Sequence, residues 1–246
     1  MVLPAQASTH NRLLAALSHD DLARLQPHLE PVTLKMRDVI VEPNTPIAHV
    51  YFIEQGIASV IAISPKGERI EVGPVGREGM SGHVVIQDLD RSLNQTLIQV
   101  GGSALRMPRA ELQSAMDESV SIRSLLLRYT YSASVLVDHT ALANGRYGLN
   151  ERLARWLLMC HDRLDGDDLP ITHEFIGLMM GVRRAGMTDA LHLLEGVHII
   201  KAIRGHITVR DRIRLEEVAG DCYGAPEAEY ARMIGRRADA PRSSMA

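Results

Sequence analysis

At 246 residues, 46% hydrophobic and 23% charged, the chain has room for two domains with their own cores and does not have the composition of a disordered polymer. A net charge of −3 excludes a protein that coats nucleic acid or membrane over its whole surface, so any contact with DNA is confined to a patch. No apolar run approaches the roughly 18 to 20 residues of a membrane span, the N-terminal MVLPAQASTHNR lacks the order of a signal peptide, and Cys160 and Cys222 have no zinc spacing; a cytoplasmic protein without a thiolate metal site is expected.

In chain order, Ser18 is placed to cap a short helix containing Leu22, Leu25 and Leu29, with Asp20 and Asp21 in its first turn. After Pro31 the texture becomes β-prone: residues 32–34, 39–41, 50–53, 58–63, 69–72, 97–100 and 104–107 are short runs between turns such as Glu54-Gln55-Gly56 and Pro65-Lys66-Gly67. Strands at this spacing make a sandwich or small barrel. From Asp117 to Ala143 the pattern is helical. Ile122, Leu125, Tyr129 and Leu136 fall at coiled-coil steps, so they are expected to form the seam of a homodimer. Asn144 to Gly148, with two glycines, is read as a hinge, and a further amphipathic helix is expected from about Asn150 to Leu164.

Gly166 to Pro170 reads as a turn. Residues 171–194, ITHEFIGLMMGVRRAGMTDALHLL, then form two short helices joined at Gly181. Thr172 is the expected N-cap, and Phe175, Ile176, Met179 and Met180 share one face. The second helix buries Met187, Ala190, Leu191 and Leu194 and turns Arg184, Ala185, Thr188, Asp189 and His192 to solvent, the arrangement of a helix-turn-helix. Residues 199–203 and 206–209 flank Arg204-Gly205 as a hairpin, a wing. From Val182 to Arg214 there are seven Arg or Lys against three Asp or Glu, so this stretch is basic inside an acidic chain. The last 25 or so residues, rich in Ala, Arg, Pro and Ser, are expected to be loosely ordered.

A β-rich half, a long helix, a glycine hinge and a C-terminal winged helix-turn-helix in this order resemble the Crp/Fnr family of bacterial transcription regulators. The resemblance rests chiefly on HVYFIEQGIASV at 49–60, ERLARWLL at 151–158 and ITHEFIGLMMGVRR at 171–184. It implies an α+β chain: a cyclic-nucleotide-binding-like β-roll (a double-stranded β-helix) at 1–116, a dimerisation helix and hinge at 117–148, the winged helix-turn-helix at 149–220 and a tail at 221–246. It further implies an operator-binding homodimer that works with RNA polymerase. Residues expected to face DNA are Thr172, Arg183, Arg184, Thr188, Asp189, His192, Arg204 and His206, with base readout assigned to the second helix and phosphate contact to Thr172 and the wing.

In relatives that bind cyclic AMP, the resemblance puts a glutamate on the ribose and an Arg-Ser pair on the phosphate. This chain keeps Arg91-Ser92 but has no acidic residue in Gly79-Met80-Ser81-Gly82-His83, and Val137-Asp138 stands where a Thr-Ser pair meets the adenine. Gly82, Arg91 and Ser92 are thus the candidate effector residues, and the departures argue against cyclic AMP. No cofactor is required by the sequence, and the effector is open. His83 and His139 leave haem as an alternative, although a lone histidine is more often a hydrogen-bonded structural residue. Two rivals come from other classes. A cupin-like enzyme needs clustered histidines with a glutamate, and His49 and His83 stand apart among the strands, so no enzyme is expected. A nucleotide-binding signalling module acting on a partner protein is the alternative, against which the basic wing argues.

Overall fold

The computed structural model describes residues 9–203 and 205–235. Asn11 opens α1 (Arg12–Ala15): its side-chain oxygen accepts from the Leu14 N–H at 3.0 Å, and its amide donates to the carbonyls of Ile53 and Gly79, each at 2.8 Å. Ser18 caps α2 (His19–Leu25) as the sequence predicts, accepting from the Asp21 N–H at 3.1 Å.

Six antiparallel strands follow: β1 (Glu30–Leu34), β2 (Val39–Val41), β3 (His49–Ile63), β4 (Arg69–Val75), β5 (Met80–Ser81) and β6 (Gln95–Pro108). β6 lies between β1 and β3, β4 is on the far side of β3, and β2 and β5 add to β6 and β3. Four of the expected short runs are two long strands. The turn expected at Glu54-Gln55-Gly56 is a bulge inside β3, where the register against β6 shifts between Ile53 and Ala58. Gly56 has φ +89, and a Cβ there would meet the Val100 carbonyl oxygen at 2.4 Å; across from it, a Cβ on Gly102 would meet that of Gln55 at 2.2 Å. Glycine on both strands lets the sheet roll without breaking.

The long helical region is two helices, α3 (Arg109–Glu118) and α4 (Val120–Arg146), separated at Ser119. α4 runs through Asn144-Gly145, where a break was expected: an exposed helical glycine costs only about 1 kcal/mol. It stops at Tyr147, and the Gly148 N–H donates to Glu151 at 2.6 Å to start α5 (Leu149–His161). Of the residues expected at the dimer seam, Ile122, Leu125 and Tyr129 are buried in the core of their own β-roll, and half-buried Leu136 packs toward Gly73 of β4. The more apolar stripe of α4 is taken by the larger apolar surface, which is the sheet.

The C-terminal half contains β7 (Asp168–Leu169), α6 (His173–Met180), α7 (Arg184–Gly196), β8 (Ile200–Ile203), β9 (His206–Val209) and α8 (Arg212–Ala219). β7 occupies residues expected to be a turn. It pairs with β9 through Asp168–Thr208 and Leu169–Ile207, making the wing three-stranded. Within the expected loose tail, Ala225–Ile234 form α9, packed on α4. Trp156, Leu157, Ile176, Met187, Leu191 and Ile207 share one core with Ile57, Ile61 and Val100 of the β-roll, so the two halves are packed against each other.

Candidate nucleic-acid interface

Local chemistry builds the helix pair. Thr172 accepts the Phe175 N–H at 3.2 Å, and Gly181, at φ +64, ends α6 in the left-handed conformation that glycine adopts without strain. Val182 N–H returns to the Gly177 carbonyl at 3.0 Å to close the turn, and Arg183 precedes α7. Arg152 of α5 donates to the Met180 carbonyl at 2.9 Å, placing a cation at the C-terminal end of α6.

On α7 the division of faces is the expected one. Met187, Ala190, Leu191 and Leu194 are buried, whereas Ala185, Asp189 and His192 are exposed and Thr188 is half-buried. Thr172, Arg183 and His206 are exposed as well. Arg204 and the side chain of Arg184 lie outside the described residues. Gly205 has φ +83 at the tip of the hairpin, where Ile203 pairs with His206. Of the basic residues counted in the sequence, Arg212 faces inward: it bonds Asp162 at 2.8 Å, Glu216 and Tyr223 at 2.9 Å, and His161 at 2.9 Å. Lys201, Arg210 and Arg214 remain exposed on the wing and at the entry to α8. The surface thus offers a polar helix face flanked by cations, which is what base edges and phosphates require.

The candidate effector residues do not converge. Arg91 is exposed and gives its guanidinium to its neighbour Asp90 (Nε–Oδ1 3.0 Å, Nη2–Oδ2 2.8 Å), while Ser92 accepts from the Asn94 N–H at 3.0 Å. Gly82 is a left-handed residue backed by Val50 and Ile47. In the stretch that lacks the glutamate, Met80 is fully buried and clamped by Tyr129, whose hydroxyl accepts from Met80 N–H at 3.0 Å and donates to its carbonyl at 3.1 Å. A Cβ on Gly79 would lie 2.2 Å from that hydroxyl, so glycine is required for the clamp.

The open space lies elsewhere. A cleft of about 770 Å³ runs between β4, α4 and α9, with His83, Asn94, Asp138 and Tyr230 among its lining residues. Gly82, Arg91, Ser92 and His139 do not line it. His83 stands edge-on to the Tyr129 ring with centroids 6.3 Å apart, and burial lowers its pKa, favouring the neutral ring. Among the described residues, no group of three or more His, Cys, Asp or Glu side chains is placed to hold a metal ion. No helix among them is long and apolar enough to cross a membrane.

Side chains that sequence reasoning missed hold the two halves together. Arg163 donates to Glu78 at 2.7 Å; burial acts against its charge, and Glu78 with Glu227 and Asp162 raises its pKa by more, so it stays ionised. Arg77 pairs with Asp165 at 2.8 Å. The Trp156 indole donates to Glu71 at 2.8 Å, and burial pushes that carboxyl up to about 7 against an ordinary 4.5. The signal for α9 was present in the sequence: Pro226, Tyr230 and Ile234 at steps of four, behind Glu227, which accepts the Gly224 N–H at 3.1 Å.

The sequence model of the Crp-like helix-turn-helix domain matches residues 151–218. Among solved structures, FixK2 from Bradyrhizobium japonicum is 19% identical, covering 78% of this chain and 98% of its own, with a TM-score of 0.68. TTHA1359, a transcriptional regulator of the CRP/FNR family from Thermus thermophilus, is 20% identical over 77% of this chain and 98% of its own, at 0.61. The c-di-GMP responsive global regulator CLP from Xanthomonas campestris is 15% identical over 78% and 99%, at 0.62. No curated protein matches the chain. At these identities the solved structures show a shared fold, that of the CRP/FNR regulators. Within it, residues 151–218 are a Crp-like helix-turn-helix domain, as the resemblance implied.

Proposed function

We propose that the chain is a homodimeric transcription regulator that binds a two-fold-related operator through α7 and the wing and couples that binding to a signal received by the β-roll. The observation that carries the reading is the exposed polar face of α7, with Arg183, Asp189 and His192 beside a wing bearing Lys201 and His206, on a helix whose opposite face is buried. It acts in the cytoplasm with RNA polymerase, as the resemblance implies. With its own core occupying the first stripe of α4, dimerisation falls to the second. Leu127, Tyr131 and Leu142 are 47%, 49% and 46% exposed, and with half-buried Val135 they lie at steps of four, four and seven on one face of a helix of 27 residues, about 40 Å long. A ridge of that kind marks a surface for a partner. The enclosed Met80 and the Asp90-paired Arg91 support an effector other than cyclic AMP, and the cleft beside α4 is the place for it. Genomic mapping of the tagged protein tests the reading: bound fragments are expected to share an inverted repeat, and their lack of any common element overturns it.

A further inference from the structure

We infer that α9 is an autoinhibitory strap: it belongs in sequence to the DNA-binding half, is fastened to the β-roll and α4, and must let go before the winged helix-turn-helix can swing free. The inference rests on the DNA-binding reading above. The far end of the strap is tied to the sensor half. Tyr230 donates its hydroxyl to the Glu78 carbonyl at 2.6 Å, Arg128 of α4 donates to the Met233 carbonyl at 3.0 Å, and Ile234, 5% exposed, joins the core that holds Leu125 and Tyr129. Its near end is tied to the DNA-binding half. Tyr223, two residues before α9, donates to Asp162 at 2.7 Å and accepts from Arg212 of α8 at 2.9 Å.

The winged domain is therefore held to the sensor at both of its ends, by the Tyr147-Gly148 link before it and by α9 after it. Rotation about the first has to strip off the second. The loop that receives Tyr230 also receives Arg163, so freeing α9 removes support from the Glu78–Arg163 pair as well. α9 also forms one wall of the 770 Å³ cleft, through Tyr230, Ala231 and Ile234, so a small molecule seated there touches the strap directly. Such a molecule shifts the equilibrium by its difference in affinity for the strapped and released forms.

The test uses the full chain, a chain ending at Gly224, and the full chain with Ile234→Asp. Trp156 is the sole tryptophan and sits in the contact between the halves, so its emission reports docking independently of DNA. In both variants the emission is expected to move to longer wavelength, and affinity for a duplex to rise about tenfold if the strapped form holds at least nine-tenths of the full chain. Circular dichroism identifies folded variants; should the shortened chain fail to fold, Ile234→Asp decides. Unchanged Trp156 emission in a folded variant overturns the strap, as does a shift accompanied by equal or weaker DNA binding. If the emission shifts and neither the variants nor the full chain bind any duplex, the strap stands and the DNA-binding reading falls.

Discussion

Glu71 is a carboxyl enclosed between β4 and α5, with one oxygen held by Trp156 and the other, Oε1, without a hydrogen-bond partner among the described residues. Its folded pKa of about 7 stands above the ordinary 4.5, so the folded chain binds the proton more tightly than the unfolded one. Stability from this group is full below pH 4.5 and declines until about pH 7, by about 3 kcal/mol from the 1.36 kcal/mol per unit of linkage. Glu71→Gln keeps an acceptor for Trp156 and removes the titration. Urea unfolding is expected to show it near wild type at pH 4.5 and more stable by up to about 3 kcal/mol at pH 8; a variant that tracks wild type at both pH values refutes the buried-carboxyl account. For the proposed contact with DNA, Arg184 begins α7 and Arg204 stands in the sequence between β8 and β9. Arg184→Ala is expected to cost about 1 to 3 kcal/mol per half-site on operator and much less on scrambled duplex. Arg204→Ala should weaken both about equally and lower the salt slope by about one unit. Salt series of binding isotherms on the two duplexes separate these, and equal losses for Arg184→Ala make it a phosphate contact.

At the scale of elements, α4 shows where a sequence stops being legible. Its period is plain, but the helix carries two apolar stripes. Ile122, Leu125 and Tyr129 read as a seam until the sheet is there to claim them. The helix-turn-helix was legible because its determinants are local: a threonine cap, a left-handed glycine and apolar steps of three and four. The rolled strands were not, because a glycine that allows a bulge and a glycine that allows a turn look alike until a partner strand crosses it, as β6 does at Gly102. Arg91-Ser92 matched a motif while Asp90 next to it had already taken the guanidinium. The dimer face proposed for α4 makes its own prediction. Leu127→Glu with Tyr131→Glu should give a folded monomer by light scattering at micromolar concentration, whereas Leu136→Glu, which puts a charge against β4, should lower the melting temperature and leave the mass unchanged. The reverse assignment of effects returns the seam to the first stripe.

On the scale of the whole molecule, the shared core and the contacts across it, with α9 fastened, are expected to make the two sequence domains one cooperative unit. Ile57, Ile61 and Val100 lie in the same cluster as Trp156 and the helix-turn-helix, and Glu78 meets Arg163 with the two side chains 15% and 9% exposed. Thermal unfolding followed by Trp156 emission and by far-ultraviolet circular dichroism should therefore coincide. Arg163→Met is the probe of that coupling. It leaves the enclosed Glu78 carboxylate without its partner, which for a buried pair costs about 3 to 5 kcal/mol. The loss falls on the contact between the halves, so the Trp156 transition should move below the dichroism transition and the single melt should split. Replacing both partners, with Arg163→Met and Glu78→Leu together, removes the stranded charge and should restore most of the loss, short of the Gly76 N–H that Glu78 also accepts, at 3.1 Å. A double variant no more stable than the single one would show that the ion pair does not couple the halves and that the apolar cluster alone carries their cooperativity.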